Sequence, residues 1–524
     1  MRYHSFKRRV LSVALAALCV TLNGFISPMA LPSPEATSSI SARDLKRHLS
    51  FLASTELGGR YTISPSNLVA ARYLASELEY YGFRGAASGS FFQKVPLYFR
   101  QPDSNASSLV LKRNGASTGF RFGADFIDPD PVDVKISGQL DFGGYGVSSP
   151  ENGYDDYANL DAQNKIVVIT RGRPAALKGI KLDDGETDVA AARAHGAVGV
   201  IVVDQSEFND AFAEARERSD DEPSLPSKKR SDALPEVYAG PRLVTAIAEL
   251  LGQPPSYLRG AGKAFRAQPL DASVQISVKV NMKAAPPAQN VAGILDGTDP
   301  TLKDEFVVLS AHYDHLMTRN GQIYRGADDD GSGTVSVLEI AQALAKERPK
   351  RSILIMFHTG EELGLFGSEY NTDYSPVVPL SQLVCDLNID MVGRSRPPGD
   401  TDPRDAKLTD KNSIYIIGAD KLSTELNQIN EQTDADTEHF KFDYTYNDET
   451  NPERFYYRSD HYNYAKHGIP IIFYFTGVHR DYHQPTDTVD KIDFEKMERI
   501  DRMIFATGWR IANLDHRLVV DKKP

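Results

Sequence analysis

The stretch GADDDGSGT, residues 326–334, sets three consecutive aspartates between glycines. By count it matches a calcium-binding loop, whose pattern positions would be Asp328, Asp330, Ser332, Gly333 and Glu339. Such a loop lies between two helices, but the preceding LMTRNGQIYRGA is not amphipathic, and the following helical pattern begins inside the supposed loop. A plain turn also favours Asp and Gly. An aspartate beside a metal ion at a helix N-terminus fits better, because the glycines allow close backbone approach.

Further polar residues follow four apolar runs elsewhere in the chain, at the point where each run ends. They are His312, Asp314, His315, Glu361, Glu362, Asp390, Tyr482 and His483. Each motif alone is common and has an ordinary explanation as surface charge. Together they place imidazoles and carboxylates at successive strand ends. This mixed nitrogen and oxygen ligand set suits zinc or a similar divalent ion.

The elements that must position these residues alternate from residue 290 onward. The predicted buried strands are EFVVLSAH, SILIMFH, LVCDLNIDMV, SIYIIG and IPIIFYF, and TVSVLEIAQALAKE is a predicted helix between two of them. This alternation predicts an α/β fold with a mostly parallel (mixed) sheet sandwiched by helices, which binds ligands at its C-terminal strand ends. Residues 131–283 differ in character and predict a smaller α/β unit.

Length and charge limit the classes of protein to consider. A chain of 524 residues predicts two or three domains. Its formal charge of −12 argues against nucleic acid or an anionic membrane surface as a partner.

The first thirty residues have the layout of a secretory signal. A basic segment is followed by the apolar run LSVALAALCVTLNGFI and then by small residues. The run is short for a membrane span, so we expect cleavage near Ala30 and no stable membrane anchor afterwards. The protein is therefore expected to be secreted, periplasmic or extracellular. Cleavage would leave Cys385 without a disulfide partner, and its apolar strand predicts a buried, inert thiol.

Taken together, the motifs resemble the M28 family of zinc-dependent peptidases, of the co-catalytic aminopeptidase type. The matching stretches are LSAHYDHL, GADDDGSGT, TGEELGLFGSEY, LNIDMVGR, RSDHYNYAKHGIPIIF and DYHQPTDTVDKID. The resemblance implies a phosphorylase/hydrolase-like zinc peptidase fold. Residues 131–283 resemble a protease-associated (PA) domain inserted into it. The implied division is 1–30 signal peptide, 38–130 first part of the peptidase domain, 131–283 PA-like domain and 284–524 main peptidase part.

The same resemblance implies a role for each site residue. Two Zn²⁺ ions per chain would be held by His312, Asp329, Glu362, Asp390 and His483. In this scheme His312 and Asp390 bind one ion, Glu362 and His483 bind the other, and Asp329 bridges the two.

The resemblance also implies three catalytic roles. Glu361 would be the general base, Asp314 would orient the His312 imidazole, and Tyr482 would donate to the substrate carbonyl oxygen. Chemistry agrees with the first two roles, because a carboxylate can take a proton from water and can accept the second N–H of a ligating imidazole. Four further histidines near the motifs are expected to pack or to act outside the ligand set: His315, His358, His461 and His479.

The sequence therefore predicts a secreted di-zinc aminopeptidase that acts on the N-termini of peptides or proteins. An M20-type di-metal peptidase or deacylase is the first alternative, although no stretch long enough for its lid domain separates Asp390 from His483. A binding protein that uses the PA-like domain is the non-enzymatic alternative, against which the intact Glu361 argues. A glutaminyl cyclase on a one-zinc version of the fold is a further alternative.

Overall fold

The structure is a computed structural model that describes residues 30–129, 131–180, 182, 184–204, 222–226, 234–259, 264–448 and 450–523. The predicted signal segment lies outside the described residues except for Ala30. Within the described part of the chain, no helix has the length and apolar character needed to cross a membrane.

The strands are β1 Arg84–Gly85, β2 Phe92–Val95, β3 Tyr98–Pro102, β4 Ser108–Arg113, β5 Ala116–Arg121, β6 Phe126–Ile127, β7 Val134–Phe142, β8 Ser148–Ser149, β9 Tyr154–Asp155, β10 Ile166–Thr170, β11 Gly199–Val203, β12 Glu236–Ala239, β13 Gln268–Val278, β14 Val280–Ala284, β15 Ala288–Leu295, β16 Phe306–His312, β17 Ser352–His358, β18 Leu383–Ile389, β19 Ser413–Ile417, β20 Lys441–Asp443 and β21 Ile471–Phe475. The α-helices are α1 Pro34–Thr37, α2 Ala42–Leu52, α3 Pro65–Tyr80, α4 Asp188–Ala194, α5 Pro241–Leu250, α6 Gly331–Lys346, α7 Phe366–Glu369, α8 Thr424–Asp436, α9 His461–Ala465 and α10 Phe494–Asn513.

The larger sheet has the order β1–β15–β17–β16–β18–β21–β19–β20, with β2 also paired to β15. Its four central strands, β17, β16, β18 and β21, are parallel neighbours. Towards the edges, β15 runs antiparallel to β17, and β19 runs antiparallel to β21. The predicted α/β class with a mixed sheet is confirmed, and the parallel pairs occupy its centre.

The central strands are mostly apolar because both faces of the sheet are covered. Every residue of β16, β17, β18 and β21 is buried. One face packs against α2, α3, α6, α8 and α10 in the largest apolar cluster. The other face packs against α9 and irregular segments that include Tyr446 and Phe455. Cys385 in β18 is fully buried, as predicted, and burial raises the pKa of its thiol.

A second, smaller sheet has the order β5–β4–β13–β7–β10–β11–β12–β6. Its centre is the parallel set β7, β10, β11 and β12, packed against α4 and α5. Strands β4, β5 and β6 precede residue 131, so this sheet includes residues that the predicted division assigned to the peptidase part. The exact division of the chain stays a prediction.

The chain enters and leaves this smaller sheet through a two-stranded ribbon. Strand β3 pairs antiparallel with β14, and Tyr98 lies opposite Ala284. The smaller unit therefore departs from the larger one, and returns to it, at adjacent points.

Residues 222–226 come from the smaller unit but dock on the larger one. The backbone of Ser224 exchanges two hydrogen bonds of 2.9 Å with that of Tyr98. Leu225 is 4% exposed and lies in an apolar cluster with Val95, Leu97 and Ala288. This short segment thus joins the two units by strand pairing and apolar packing.

Candidate metal centre

The polar side chains predicted to act together lie at the C-terminal edge of the parallel strands. His312 is the last residue of β16 and pairs in register with His358, the last residue of β17. Glu361 and Glu362 follow β17 after a two-residue turn, and Asp390 directly follows β18. The loop after β21 returns His483 to the same edge. Parallel strands point their carboxyl ends in one direction, which is why motifs distant in sequence converge here.

His312, Glu361 and Asp390 form one group whose ligand atoms lie within 4.8 Å of one another. The Nε2 atom of His312 lies 3.8 Å from Glu361 Oε2 and 3.7 Å from Asp390 Oδ2. His312 is 1% exposed, so the group lies at the floor of the site.

A second group contains His315, Asp329 and Glu362, again with ligand atoms within 4.8 Å of one another. His483 joins it, since its Nε2 atom lies 3.0 Å from Asp329 Oδ2 and 3.2 Å from Glu362 Oε2. Asp329 lies between the two groups, because its Oδ1 atom is 3.3 Å from His312 Nε2. One carboxylate therefore faces an imidazole from each group with a different oxygen.

The two aspartates beside Asp329 bind other partners and hold the turn in place. Asp330 caps helix α6 by accepting from Gly333 N, and the same Oδ1 atom accepts from Met391 N. Asp328 accepts from Gly393 N, and its Oδ2 atom lies 3.0 Å from His479 Nε2. The peptide bond between Asp329 and Asp330 is cis. The three aspartates thus point to different partners, which agrees with rejecting the calcium-loop interpretation.

Outside these groups, Asp314 holds the position of His312. The Nδ1 atom of His312 lies 3.2 Å from the carbonyl oxygen of Asp314 and 3.7 Å from its Oδ1. The Asp314 carboxylate accepts from the Thr62 hydroxyl at 2.7 Å and from Glu361 N at 3.3 Å. One buried carboxylate thus ties the β16 loop to the β17 loop.

Arg60 supports the same loops from the N-terminal segment. Its side chain is fully buried and donates four hydrogen bonds, to the carbonyl oxygens of Leu52, Tyr313, Arg325 and Gly326. A buried guanidinium without carboxylate partners must satisfy its N–H groups in this way. The N-terminal segment is therefore part of the framework of the site.

Tyr482 lies beside the second group. Its ring stacks on that of His483, with centroids 3.9 Å apart. His483 itself has a φ of 55°, which is uncommon for a residue other than glycine. A 2.8 Å ion pair between Arg394 and Asp481 braces the same loop, and Asp487 accepts from Asp328 N and Asp329 N.

The shifted pKa values of the buried carboxyl groups indicate that the site favours bound positive charge. Burial raises the pKa of Glu361 well above its usual value, and the carboxylates of Glu362 and Asp390 raise it further. Burial acts in the same direction on Asp329, but the neighbouring imidazoles of His312 and His483 outweigh it and hold the pKa of Asp329 well below normal. Burying several carboxylates this close together is costly unless cations compensate them.

The donor set fits divalent metal ions. Among the described residues, Asp329 Oδ2 has no hydrogen bond of good geometry, although His483 Nε2 lies 3.0 Å away. A carboxylate oxygen and an imidazole nitrogen at that distance are close enough to share either a proton or a metal ion. Imidazole nitrogens with carboxylate oxygens suit zinc and similar ions.

The structure brings together all eight residues that the sequence analysis singled out for the site. These are His312, Asp314, Asp329, Glu361, Glu362, Asp390, Tyr482 and His483. Sequence reasoning missed Ser459, whose hydroxyl donates to Asp390, and also Thr62 and Arg60. A serine, a threonine or an arginine in an ordinary loop carries no signal that it reaches a distant motif. His315, which was expected to pack or to act outside the ligand set, contacts Glu362 directly.

Comparison with known proteins gives two family matches. The model of peptidase family M28 matches residues 290–508, and the model of the PA domain matches residues 138–230.

Curated relatives match over part of their length. A protein of Pyrenophora tritici-repentis named "Probable zinc metalloprotease" is 28% identical over 239 residues, which cover 39% of this chain and 48% of that protein. A "Probable leucine aminopeptidase" of Arthroderma otae is 29% identical over 230 residues, covering 41% and 56%. The chain thus spans about half the length of the curated relatives it matches. Among solved structures, an aminopeptidase from Aneurinibacillus sp. strain AM-1 has 17% identity and a TM-score of 0.49, covering 94% of this chain and 98% of that one.

Proposed function

We propose that the chain, whose residues 290–508 match the model of peptidase family M28, is a secreted di-zinc metallopeptidase that removes N-terminal residues from peptides. The observation that carries the proposal is the shared carboxylate of Asp329. Its Oδ1 lies 3.3 Å from His312 and its Oδ2 lies 3.0 Å from His483. A single aspartate between two ligand groups is what a pair of adjacent ions needs.

In this proposal His312 and Asp390 hold one zinc ion, Glu362 and His483 hold the other, and Asp329 bridges them. Each ion then has three protein ligands, which leaves positions for water and substrate, as catalytic zinc sites require. Bound there, the ions would polarise a scissile carbonyl and lower the pKa of water towards neutrality. The names of the fungal relatives support zinc as the metal and an N-terminal cleavage site.

Glu361 is the proposed general base. Its carboxylate lies 3.8 Å from His312 Nε2, and its side chain is 12% exposed, so it borders both the ligand groups and the opening of the site. Glu361 and Glu362 are neighbours in sequence and point to different groups. Glu361 would accept a proton from the attacking water and pass it to the leaving amine.

Two other residues complete the proposed arrangement. The backbone carbonyl of Asp314 accepts from His312 Nδ1 and fixes which nitrogen faces the metal. Tyr482 stacks on His483 at the rim, where its hydroxyl would donate to the substrate carbonyl oxygen.

The remaining parts of the proposal concern the other segments. Residues 1–30 act as a signal peptide, which makes the protein extracellular or periplasmic, and the PA-like unit is an insertion in the peptidase domain. The M20-type and binding-protein alternatives are less favoured. Glu361 has a position beside the ligand groups that a purely structural metal site would not need.

The test combines metal content with activity. The mature protein is assayed on aminoacyl reporter substrates with free and with blocked N-termini, and bound metal is counted per chain. Two zinc ions, hydrolysis of free-amine substrates alone, and a loss of about 10²–10⁴-fold in kcat for metal-loaded Glu361→Gln would support the proposal. Glu495→Gln is the control, since that glutamate is exposed on α10. Hydrolysis of blocked substrates would reject the aminopeptidase assignment.

A further inference from the structure

The carboxylate of Glu362 lies between two imidazoles, and each imidazole faces a different oxygen. His483 Nε2 is 3.2 Å from Oε2, whereas His315 Nδ1 is 2.6 Å from Oε1. Both oxygens of this ligand are therefore engaged by the protein. The question is whether His315 is a further metal ligand or a hydrogen-bond donor to the ligand Glu362.

The distances from His483 and His315 to Asp329 distinguish the roles of the two imidazoles. His483 Nε2 lies 3.0 Å from Asp329 Oδ2, while His315 Nδ1 lies 3.8 Å from the same atom. His483 thus faces both carboxylates at similar distances, as a ligand around a common ion does. His315 faces mainly one oxygen of Glu362, at a distance typical of a charge-assisted hydrogen bond.

The hydrogen bonding of the second ring nitrogen also distinguishes a metal ligand from a donor. A histidine that binds a metal almost always donates its other N–H to a partner that holds the ring. His312 has such a partner, since its Nδ1 faces the carbonyl oxygen of Asp314 at 3.2 Å. His315 has none among the described residues, because its buried Nε2 makes no hydrogen bond. This pattern identifies His312 as a ligand and His315 as a donor.

Packing prevents the His315 ring from leaving this position. His315 is fully buried. A Cβ atom placed on Gly326 would lie 2.5 Å from the Cγ atom of His315. The His315 ring therefore lies directly against this glycine, whose φ is +55°. The ring can stay this close because Gly326 has no side chain.

We propose that His315 is a positioning residue that donates its Nδ1–H to Glu362 Oε1 and thereby reserves Oε2 for the metal shared with His483. The inference rests on the proposed two-metal site. It assigns the two glutamate oxygens separate tasks and makes the affinity of one metal position depend on a residue that does not bind the metal.

Three substitutions at His315 test the role of the donor. In His315→Asn the side-chain amide takes the place of the Nδ1–H donor, whereas His315→Gln places its amide where Nε2 stood. His315→Leu removes both nitrogens. Zinc affinity is measured by competition with a chromophoric chelator, and the two positions are followed separately by the absorption of the Co²⁺-substituted protein. His461→Gln is the control, because that buried histidine bonds Tyr456 O rather than a proposed ligand.

The donor role predicts that His315→Gln and His315→Leu weaken one of the two metal positions by about 10–100-fold, while the other keeps its affinity. His315→Asn should retain most of the wild-type affinity at both positions, and His461→Gln should retain all of it. Melting curves report whether each variant folds. If His315→Leu does not fold, the comparison of His315→Asn with His315→Gln decides.

Two results would overturn the inference. If His315→Asn loses as much affinity as His315→Leu, His315 is a ligand rather than a donor. If none of the three variants changes either affinity, His315 only fills space. Failure of the proposed function looks different: wild-type protein that binds two metals but hydrolyses nothing would reject the peptidase and leave the role of His315 testable by affinity alone.

Discussion

The hydroxyl of Ser459 donates a 2.7 Å hydrogen bond to Oδ2 of Asp390, the carboxylate at the end of β18. Ser459 also accepts from Asn388 Nδ2 at 3.1 Å. Both partners are almost fully buried, with Ser459 2% and Asp390 7% exposed. A proposed metal ligand is thus held by a neutral hydroxyl from a segment about seventy positions away.

Substituting this hydroxyl should weaken the metal position of Asp390. In Ser459→Ala the carboxylate loses the bond that sets its orientation, and we expect metal affinity or kcat/KM to fall by about 10–100-fold. Ser423→Ala is a matched control, because Ser423 is an equally buried serine that caps α8 through Leu426 N. It should cost about 1 kcal/mol of stability and leave metal binding unchanged. Equal effects of both variants on metal affinity would contradict the assigned role.

Removing metal should destabilise the fold. Without cations, the carboxylates of Asp329, Glu361, Glu362 and Asp390 remain buried within a few ångströms of one another, which opposes folding. Ions that bind only the folded chain add RT ln(1 + [L]/Kd), or about 4 kcal/mol at a thousand-fold excess over Kd. Dialysis against a chelator should therefore lower the melting temperature, and readdition of Zn²⁺ should restore it. A melting temperature unaffected by chelation and by added Zn²⁺ would argue against a bound ion.

Acid should destabilise the protein through His461. Burial lowers the pKa of this histidine from 6.5 to about 3, and its ring stacks on Phe473. Between pH 6.5 and pH 3 the unfolded state holds a proton that the folded state does not. The contribution of neutral His461 to the free energy of unfolding is therefore complete above pH 6.5 and is lost as the pH falls towards 3.

The loss amounts to about 1.4 kcal/mol per pH unit in that window. His461→Gln keeps a donor for Tyr456 O but does not titrate, so its free energy of unfolding should fall less steeply. Denaturant unfolding of both proteins at pH 7, 6 and 5 measures the difference in slope. Parallel pH dependences would refute the prediction.

A charged substitution of Leu225 should weaken the contact between the two units. Leu225→Asp places a charge in the apolar cluster formed with Val95, Leu97 and Ala288, which is strongly unfavourable. The backbone pairing of Ser224 with Tyr98 should loosen, and the Tyr98 amide should exchange its hydrogen faster. Leu225→Met should retain protection, because volume-conserving apolar changes usually cost less than about 1.5 kcal/mol. Unchanged exchange in Leu225→Asp would mean that the docking depends on other contacts.

The sequence analysis predicted the larger sheet, and the convergence of polar side chains at one edge of it, because both rest on local patterns. Mostly apolar runs such as Phe306–His312 mark strands covered on both faces, and polar residues at their ends must meet at one edge. The boundary of the smaller unit at residue 131 stays a prediction, and short strands with alternating burial, such as Ser108–Arg113, carry no local signal of the sheet they join. Register and sheet membership depend on tertiary pairing, which a local pattern does not contain.

The sequence analysis did not predict the residues that support the proposed ligands. Thr62 reaches Asp314, and Arg60 reaches Tyr313, across more than 250 positions of chain. Neither residue type is unusual for a loop. Their roles follow from how the N-terminal segment packs on the sheet, which is a property of the whole fold.

The ribbon of β3 and β14 makes the smaller unit a removable module. Pro102 and Val280 lie opposite each other at its outer end, so the module leaves and returns within about one interstrand spacing, roughly 5 Å. A two-residue turn between them would convert the ribbon into a β-hairpin, with the catalytic edge untouched. A single gene insertion or deletion at this point would add or remove the whole module in one step, and removal would also uncover the apolar cluster that Leu225 completes.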